Sequence, residues 1–214
     1  LKADRTETVE AAEVVRRMAL AHPEIGFAFV TEERRLVDVP KEEGEEARIR
    51  RILGGEFMDN AIPFDLGRES IRVRGYAGLP TWSRNNSAQQ YMFVNGRSVR
   101  DKLIFGAIRG AYADVLPSGR FPALVLFLDC PPERVDVNVH PAKTEVRFRD
   151  PAFVRGFLVS GLRHALEGAA QRSAQAPAPI AGAKPADEQA RAQFVGLSDV
   201  VTVFVEPFGA PSAE

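Results

Sequence analysis

The length, composition and charge of the chain exclude several classes of protein. Its 214 residues are 45% hydrophobic and 27% charged, enough for one ordinary core and a smaller second unit. A formal net charge of −1 excludes nucleic-acid binding through bulk charge alone, so any such binding is expected to be local. The single cysteine, Cys130, excludes a disulfide framework and a zinc site built from cysteines. The sequence has no apolar run of about 18 residues and no secretory signal, so we expect a cytoplasmic protein without membrane contact.

The first 55 residues predict a helix, two strands and a second helix. Residues 8–21 predict an amphipathic helix, because apolar side chains recur on one face (Val14, Val15, Met18 and Ala21). Residues 25–39 predict two short strands joined by a charged turn. After Pro40 an acidic loop leads into a short helix, and we expect a domain boundary near residues 40–45.

The next stretch predicts a basic strand and a β-hairpin. From residue 70 onward, Ile71 and Val73 alternate with Arg72 and Arg74, the pattern of a half-buried strand with one polar face. The dipeptide at residues 95–96 is Asn-Gly, which strongly favours a two-residue hairpin because both central residues of a type I′ turn need a positive φ.

A core-facing helix and a buried strand follow the hairpin. Residues 100–116 predict a helix whose apolar stripe consists of Leu103, Ile104, Ala107, Ile108, Ala111, Tyr112 and Val115. Residues 121–129 are nearly all apolar, as in a strand covered on both faces.

A lysine in a proline-containing turn is the most specific candidate for function. In VDVNVHPAKTEVRFRD, residues 135–150, apolar and polar residues alternate on both sides of Lys143, so we expect a strand on each flank. Pro141 stiffens the turn and presents the lysine in a fixed direction, where it would be a point charge suited to a phosphate. On the residues alone, a lysine in such a turn is more often a solvated loop residue, and a histidine such as His140 is more often a hydrogen-bonded residue at a strand end than a catalytic base.

The C-terminal part predicts one helix and a long linker. Asp150 as N-cap and Pro151 at the first helical position predict a helix that runs to about residue 168. Residues 170–193 are rich in Ala and Pro and lack apolar periodicity, which indicates a linker. Residues 194–214 are expected to be a linker tail containing one short strand-like run.

Charge is segregated along the chain. Residues 66–110 carry eight basic side chains against two acidic ones, whereas residues 31–60 carry nine acidic against six basic. A phosphate-binding surface is therefore one interpretation, and a solvated charged face is the other. The DNA-binding candidates are Arg97, Arg100 and Lys102, followed by Arg72 and Arg74. Trp82 could stack on a base or serve as a packing residue.

The two segments FVNGRSVRDKLIFGAIRGAY and VDVNVHPAKTEVRF resemble the MutL family of DNA mismatch-repair ATPases. The resemblance extends from the first residue to the helix that ends near residue 168, and its signature is long and specific to the family. It implies a GHKL-type ATPase domain, of the kind found in type II topoisomerases and sensor histidine kinases, followed by a transducer-like domain. The implied division is residues 1–40 as the C-terminal remnant of the ATPase domain, 41–169 as the transducer-like domain, 170–193 as linker and 194–214 as linker tail.

The fold expected from this resemblance is α/β, an α+β-like two-layer sandwich. It has a mixed sheet with helices on one face, as in transducer domains and ribosomal proteins. Relatives with this fold contain a left-handed βαβ crossover, against the usual right-handed rule. The missing initiator Met suggests that the chain is a piece of a longer protein.

The resemblance also implies roles for named residues. Lys143 is the transducer lysine that reaches the γ-phosphate of ATP bound by the preceding domain, and His140 and Pro141 support that nucleotide site. ATP and Mg are the cofactors implied for the full-length protein, an expected ATPase. Because the nucleotide-binding motifs of the family would precede Leu1, we expect this chain alone to bind no cofactor or metal and to hydrolyse no ATP.

The implied function is DNA mismatch repair, in which this part couples ATP binding and hydrolysis to DNA binding and partner recruitment. The implied partners are DNA, bound weakly and without sequence preference, the mismatch-recognition protein MutS, a downstream nuclease and helicase, and a second MutL chain. Three alternatives remain: a stand-alone nucleic-acid-binding module of ribosomal-protein-like fold, a purely structural interaction domain, and a transducer from a topoisomerase. The VNGR and VHPAK motifs disfavour the last of these.

Overall fold

The structure, a computed structural model, describes residues 2–32, 34–137, 144–175 and 200–204. In these ranges lie five α-helices: α1 Lys2–Ala21, α2 Glu45–Leu53, α3 Gly55–Asp59, α4 Lys102–Ala111 and α5 Pro151–Gln175. The strands are β1 Gly26–Val30, β2 Arg35–Val39, β3 Ala61–Arg68, β4 Ile71–Gly78, β5 Ser83–Arg84, β6 Gln90–Val94, β7 Arg97–Val99, β8 Phe121–Pro122, β9 Leu124–Asp129, β10 Val135–Asp136, β11 Arg147–Phe148 and β12 Val200–Phe204.

A mixed five-stranded sheet forms the centre of the molecule and confirms the predicted α/β class. Its strand order is β3-β4-β9-β6-β7, with β6 and β9 parallel and the other neighbours antiparallel. The predicted hairpin joins β6 to β7 through Asn95 and Gly96, whose φ angles are 48° and 75°. The Asn95 side chain also accepts a 2.9 Å hydrogen bond from the Cys130 backbone N–H, which fixes the turn beside the end of β9.

Strands β6 and β9 are buried on both faces of the sheet. For β9 this was predicted from residues 121–129, although Phe121 and Pro122 form the separate strand β8, paired with β5. In β9, Leu124, Leu126 and Leu128 contact one core cluster, whereas Val125 and Phe127 contact another on the opposite face. The first cluster lies between the sheet and the helices α4 and α5. These two helices are the predicted layer on one face.

Helices also cover the opposite face of the sheet, which the predicted two-layer arrangement omitted. Leu20 of α1, Ile49 of α2 and Phe57 of α3 pack there, against Tyr91 and Phe93 of β6 and their neighbours. Aromatic side chains on this face of β6 and β9 would otherwise be exposed to water, so covering them is strongly favourable.

The predicted apolar stripes of α1 and α4 are each partly wrong. In α1, Ala12, Val15 and Ala19 are buried against β1 and β2 and Leu20 is buried against β6, whereas Val14 is 57% and Met18 45% exposed. Small alanines let the helix approach the strands closely, so the larger side chains were a poor guide to its buried face. In α4 the predicted stripe is confirmed from Leu103 as far as the C-cap residue Tyr112, but the helix ends at Ala111 and Val115 is 48% exposed.

Several elements differ in extent from the sequence predictions. Strand β3 was not predicted, because Pro63 and Gly67 interrupt its pattern; both are tolerated since β3 is an edge strand. The strands flanking the Lys143 turn, β10 and β11, are only two residues long. Helix α5 begins with the predicted cap, since Asp150 Oδ1 accepts a 2.9 Å hydrogen bond from Phe153 N–H, but it runs to Gln175.

A smaller three-stranded sheet packs on α1. Its order is β12-β1-β2, with β12 parallel and β2 antiparallel to β1. We call α1, β1 and β2 the N-terminal unit. The linker predicted for residues 170–193 lies outside the described residues beyond Gln175.

Glycine at position 75 should be essential for the pairing of β4 with β9. Its φ is 144°, and a Cβ there would overlap the Val125 carbonyl oxygen. We expect Gly75→Ala to destabilise the chain by about 2–4 kcal/mol in urea unfolding. Gly106→Ala is the matched control, because a Cβ in the middle of α4 meets nothing within 4 Å and should stabilise the helix by up to about 1 kcal/mol. Equal unfolding midpoints for the two variants would show that β4 and β9 can pair without a glycine at this position.

Candidate functional site

Arg72 and Arg74 lie on one face of β4, as predicted, but both face carboxylates. Arg72 donates to both carboxylate oxygens of Asp65 on β3, at 2.9 and 2.5 Å. These hydrogen bonds lower the pKa of Asp65 and raise the pKa of Arg72, although both groups are exposed. Arg74 Nη1 lies 3.0 Å from Glu45 Oε2, an ion pair rather than an aligned hydrogen bond, and its guanidinium stacks 4.6 Å from the ring centroid of Phe127. These two charges are therefore locally balanced.

Arg97, Arg100 and Lys102 lie at the opposite edge of the sheet and are exposed. Arg97 begins β7, Arg100 follows it, and Lys102 begins α4. Within the part of the chain that the structure describes, the side chains of Arg97 and Arg100 form no ion pair. Lys102 is 89% exposed and lies 3.5 Å from a carboxylate oxygen of Glu145. This group, which we call the β7–α4 basic edge, presents charge to solvent with little internal compensation.

The five predicted DNA-binding residues fall into two groups rather than one patch. Strands β4 and β7 are separated by β9 and β6, which corresponds to about 14 Å at an inter-strand spacing of about 4.8 Å. Arg97 pairs with Val94, whose side chain lies in the core beneath α4 and α5, so Arg97 is on the same face of the sheet as these helices. Arg72 and Arg74 are on the other face.

The Lys143 turn can be placed only by its two ends. His140, Pro141 and Lys143 lie outside the described residues, so their predicted roles remain predictions. The strands that precede and follow the turn, β10 and β11, pair with each other through Val135 and Phe148. At the C-terminal end of the turn, the Thr144 carbonyl accepts a 2.7 Å hydrogen bond from the Arg100 N–H. Thr144, the first described residue after the turn, therefore lies beside the β7–α4 basic edge.

Sequence reasoning missed the most extensively hydrogen-bonded side chain in this region, that of Arg48. It projects from α2, is 2% exposed, and donates to five backbone carbonyl groups at 2.6–3.1 Å. The acceptors are the carbonyl oxygens of Ala19, His22, Pro23, Ile25 and Pro40. Burial lowers the pKa of Arg48. The only signal in the sequence was its position beside Ile49 on the apolar side of a short helix.

A second polar contact joins α1 to the sheet. The Tyr91 hydroxyl, on β6, donates a 3.0 Å hydrogen bond to Glu13 of α1, and burial raises the pKa of Tyr91. Arg17 forms a 3.0 Å ion pair with Glu13 and lies over the Tyr91 ring. The N-terminal unit is thus attached to the sheet by polar as well as apolar contacts.

Trp82 follows the packing interpretation. Its ring lies 5.6 Å from that of Phe57 in the core cluster beneath α3, and the Arg84 guanidinium stacks over it at 3.3 Å.

Among the helices of the described ranges, none is long and apolar enough to cross a membrane. The described residues also contain no group of three His, Cys, Asp or Glu side chains arranged to hold a metal ion.

Comparison with known proteins identifies the family. Residues 49–167 match the family described as "DNA mismatch repair protein, C-terminal domain". The DNA mismatch repair protein MutL of Rhodospirillum rubrum is 55% identical over 178 residues, which is 81% of this chain and 28% of that protein. MutL of Methylocella silvestris is 49% identical over 195 residues, 89% of this chain and 32% of that protein. The chain therefore belongs to the MutL family of DNA mismatch repair proteins, and the resemblance seen in its motifs is confirmed.

Solved structures show the same fold at lower sequence identity. The N-terminal domain of a DNA repair protein superposes with a TM-score of 0.67 at 22% identity, over 81% of this chain and 56% of that one. The Aquifex aeolicus MutL ATPase domain gives a TM-score of 0.51 at 19% identity, over 76% of this chain and 54% of that one. The chain spans about 28–32% of the length of the curated MutL relatives named above, so it corresponds to one part of such a protein.

Proposed function

We propose that this chain is the transducer part of a MutL ATPase in DNA mismatch repair. It couples ATP binding and hydrolysis in the preceding domain to DNA binding and partner recruitment. The observation that carries the proposal is the 2.7 Å hydrogen bond between Arg100 N–H and the Thr144 carbonyl. It joins the end of the Lys143 turn to the β7–α4 basic edge. The proposed contact with the nucleotide and the proposed contact with DNA therefore lie in segments that are hydrogen-bonded to each other.

In this function, Lys143 is the group that contacts the nucleotide. An ammonium group beside the γ-phosphate stabilises negative charge on the phosphoryl oxygens and makes the position of the turn depend on whether that phosphate is present. Pro141 restricts the backbone that presents the lysine, and His140 supports the site. ATP and Mg are held by the preceding domain, which supplies the phosphoryl-transfer chemistry, and this chain alone hydrolyses no ATP.

DNA binding is assigned first to the β7–α4 basic edge. Arg97 and Arg100 have no competing carboxylate among the described residues, and Lys102 is paired only at 3.5 Å across an exposed contact. Such groups neutralise phosphates without reading sequence, and their contribution falls with added salt. Arg72 and Arg74 are secondary, because each would have to leave a carboxylate before it could bind a phosphate. MutS, a downstream nuclease and helicase, and a second MutL chain are the proposed protein partners.

The nucleotide role is tested by Lys143→Ala in the full-length protein. At saturating ATP we expect kcat to fall by about tenfold or more, equivalent to about 1.4 kcal/mol of lost transition-state stabilisation. Lys143→Arg should retain part of the rate because it keeps the charge. Arg155→Ala, which removes an exposed cation on α5, should leave kcat unchanged. An unchanged rate for Lys143→Ala would contradict the role. ATP turnover by the purified 214-residue chain, free of contaminants, would instead contradict the expectation that this chain alone hydrolyses no ATP.

The DNA role is tested by the salt dependence of affinity. In the full-length protein, Arg97→Ala combined with Arg100→Ala should weaken binding to a fluorescent DNA duplex. The negative slope of the logarithm of the association constant against the logarithm of salt concentration should become shallower by about two. Arg72→Ala should have a smaller effect, because Asp65 already occupies that guanidinium. Anisotropy titrations at several salt concentrations measure both quantities, with Arg155→Ala as the control. If the double variant binds like wild type, the assigned surface is wrong.

A further inference from the structure

Helix α2 contacts both the N-terminal unit and the five-stranded sheet. Arg48 reaches towards the N-terminal unit, whereas Glu45, one helical turn earlier, reaches Arg74 on β4. The neighbouring side chain of Ile49 is completely buried in the core cluster on the face of β6 and β9. The nine-residue helix α2 thus contacts the N-terminal unit and the five-stranded sheet at the same time.

The contact with the N-terminal unit depends on the shape of the guanidinium. Nη1 donates to Ala19, His22 and Ile25, and Nη2 donates to Pro23, Ile25 and Pro40. Ala19 lies in the last turn of α1 and His22 directly follows the helix, where carbonyls lack partners within the helix and favour a cation. A planar fork serves several acceptors in fixed directions, which an ammonium group cannot do.

The contact with the sheet is a single charged pair supported by stacking. Glu45 Oε2 lies 3.0 Å from Arg74 Nη1, and Arg74 stacks on Phe127 of β9. Phe127 in turn stacks on Phe93 of β6, with ring centroids 5.0 Å apart. Strand β6 leads through the Asn95 turn into β7 and the basic edge. A continuous series of contacts therefore runs from the end of α1 to the strand that carries Arg97.

We propose that α2 is the coupling element between the nucleotide-bearing part of the protein and the DNA-binding edge, with Arg48 and Glu45 as its positioning residues. This inference rests on the function proposed above. Because Arg48 binds carbonyls from α1, the following loop and the end of β2, α2 moves with the N-terminal unit as one body. Displacement of that unit relative to the sheet then reaches Arg74 through Glu45, alongside the direct contact between Glu13 and Tyr91.

The test measures a coupling factor in the full-length protein. The factor is the ratio of the DNA dissociation constants measured without nucleotide and with a non-hydrolysable ATP analogue. We expect Arg48→Lys and Glu45→Gln each to bring this factor about threefold or more closer to one. The control is Arg50→Gln, which removes an exposed ion pair with Asp59 from the same helix and should leave the factor unchanged. Glu45→Gln should preserve the thermal midpoint, which separates lost coupling from lost structure. Because this substitution also frees Arg74, it should raise DNA affinity with and without nucleotide alike, and such a uniform gain cancels in the coupling factor.

Linkage provides an independent measure of the same quantity. The factor by which DNA changes the affinity for the ATP analogue must equal the factor by which the analogue changes the affinity for DNA, in each variant. If Arg48→Lys lacks a cooperative unfolding transition, Glu45→Gln decides alone. Folded variants that keep the wild-type factor would overturn the proposal. A wild-type factor of one would instead refute the proposed coupling function, and the role of α2 with it.

Discussion

The arrangement of this protein depends on a buried guanidinium that binds five carbonyl groups. Arg48 satisfies backbone oxygens at the end of α1, in the loop that follows it and at the end of β2, segments that share no other common partner of this kind in the described residues. Removing a charged donor from such a site leaves several buried acceptors unpaired, which costs more than any one of the bonds contributes. Together with the Tyr91–Glu13 hydrogen bond and the burial of Leu20, this side chain holds the N-terminal unit and α2 in place on the sheet.

The distribution of carboxylates separates structural cations from those available to a ligand. Arg72 and Arg74 are on the polar face of β4, yet Asp65 and Glu45 hold them within the protein. Arg97 and Arg100 lie at the sheet edge without such partners among the described residues, beside the end of the Lys143 turn. Since phosphate binding requires charge that is not already compensated, the second group is the better candidate for contact with nucleic acid.

The elements that could be predicted from sequence are those determined by local chemistry. The Asn95-Gly96 turn, the Asp150 cap and the apolar runs of β9 and α4 each depend on residues close together in the chain. Strand β3 escaped prediction because Pro63 is acceptable only at an edge, which depends on its neighbours in the sheet. The buried face of α1 depends on the close approach of alanines to β1, and the role of Arg48 depends on carbonyls 8 to 29 residues away. The same limit applies to the site: exposure of the basic edge followed from local pattern, whereas the pairing of Arg74 with Glu45 did not.

Amide hydrogen exchange at Arg100 tests most directly whether the Lys143 turn links the nucleotide to the basic edge. This amide donates to the Thr144 carbonyl, so its protection reports on how firmly the end of the turn is held. In the full-length protein, we predict slower exchange at Arg100 with a non-hydrolysable ATP analogue than with ADP. We also predict that Lys143→Ala abolishes this difference. Identical exchange with the two nucleotides in the wild-type protein would contradict a link between the nucleotide and the basic edge through this turn.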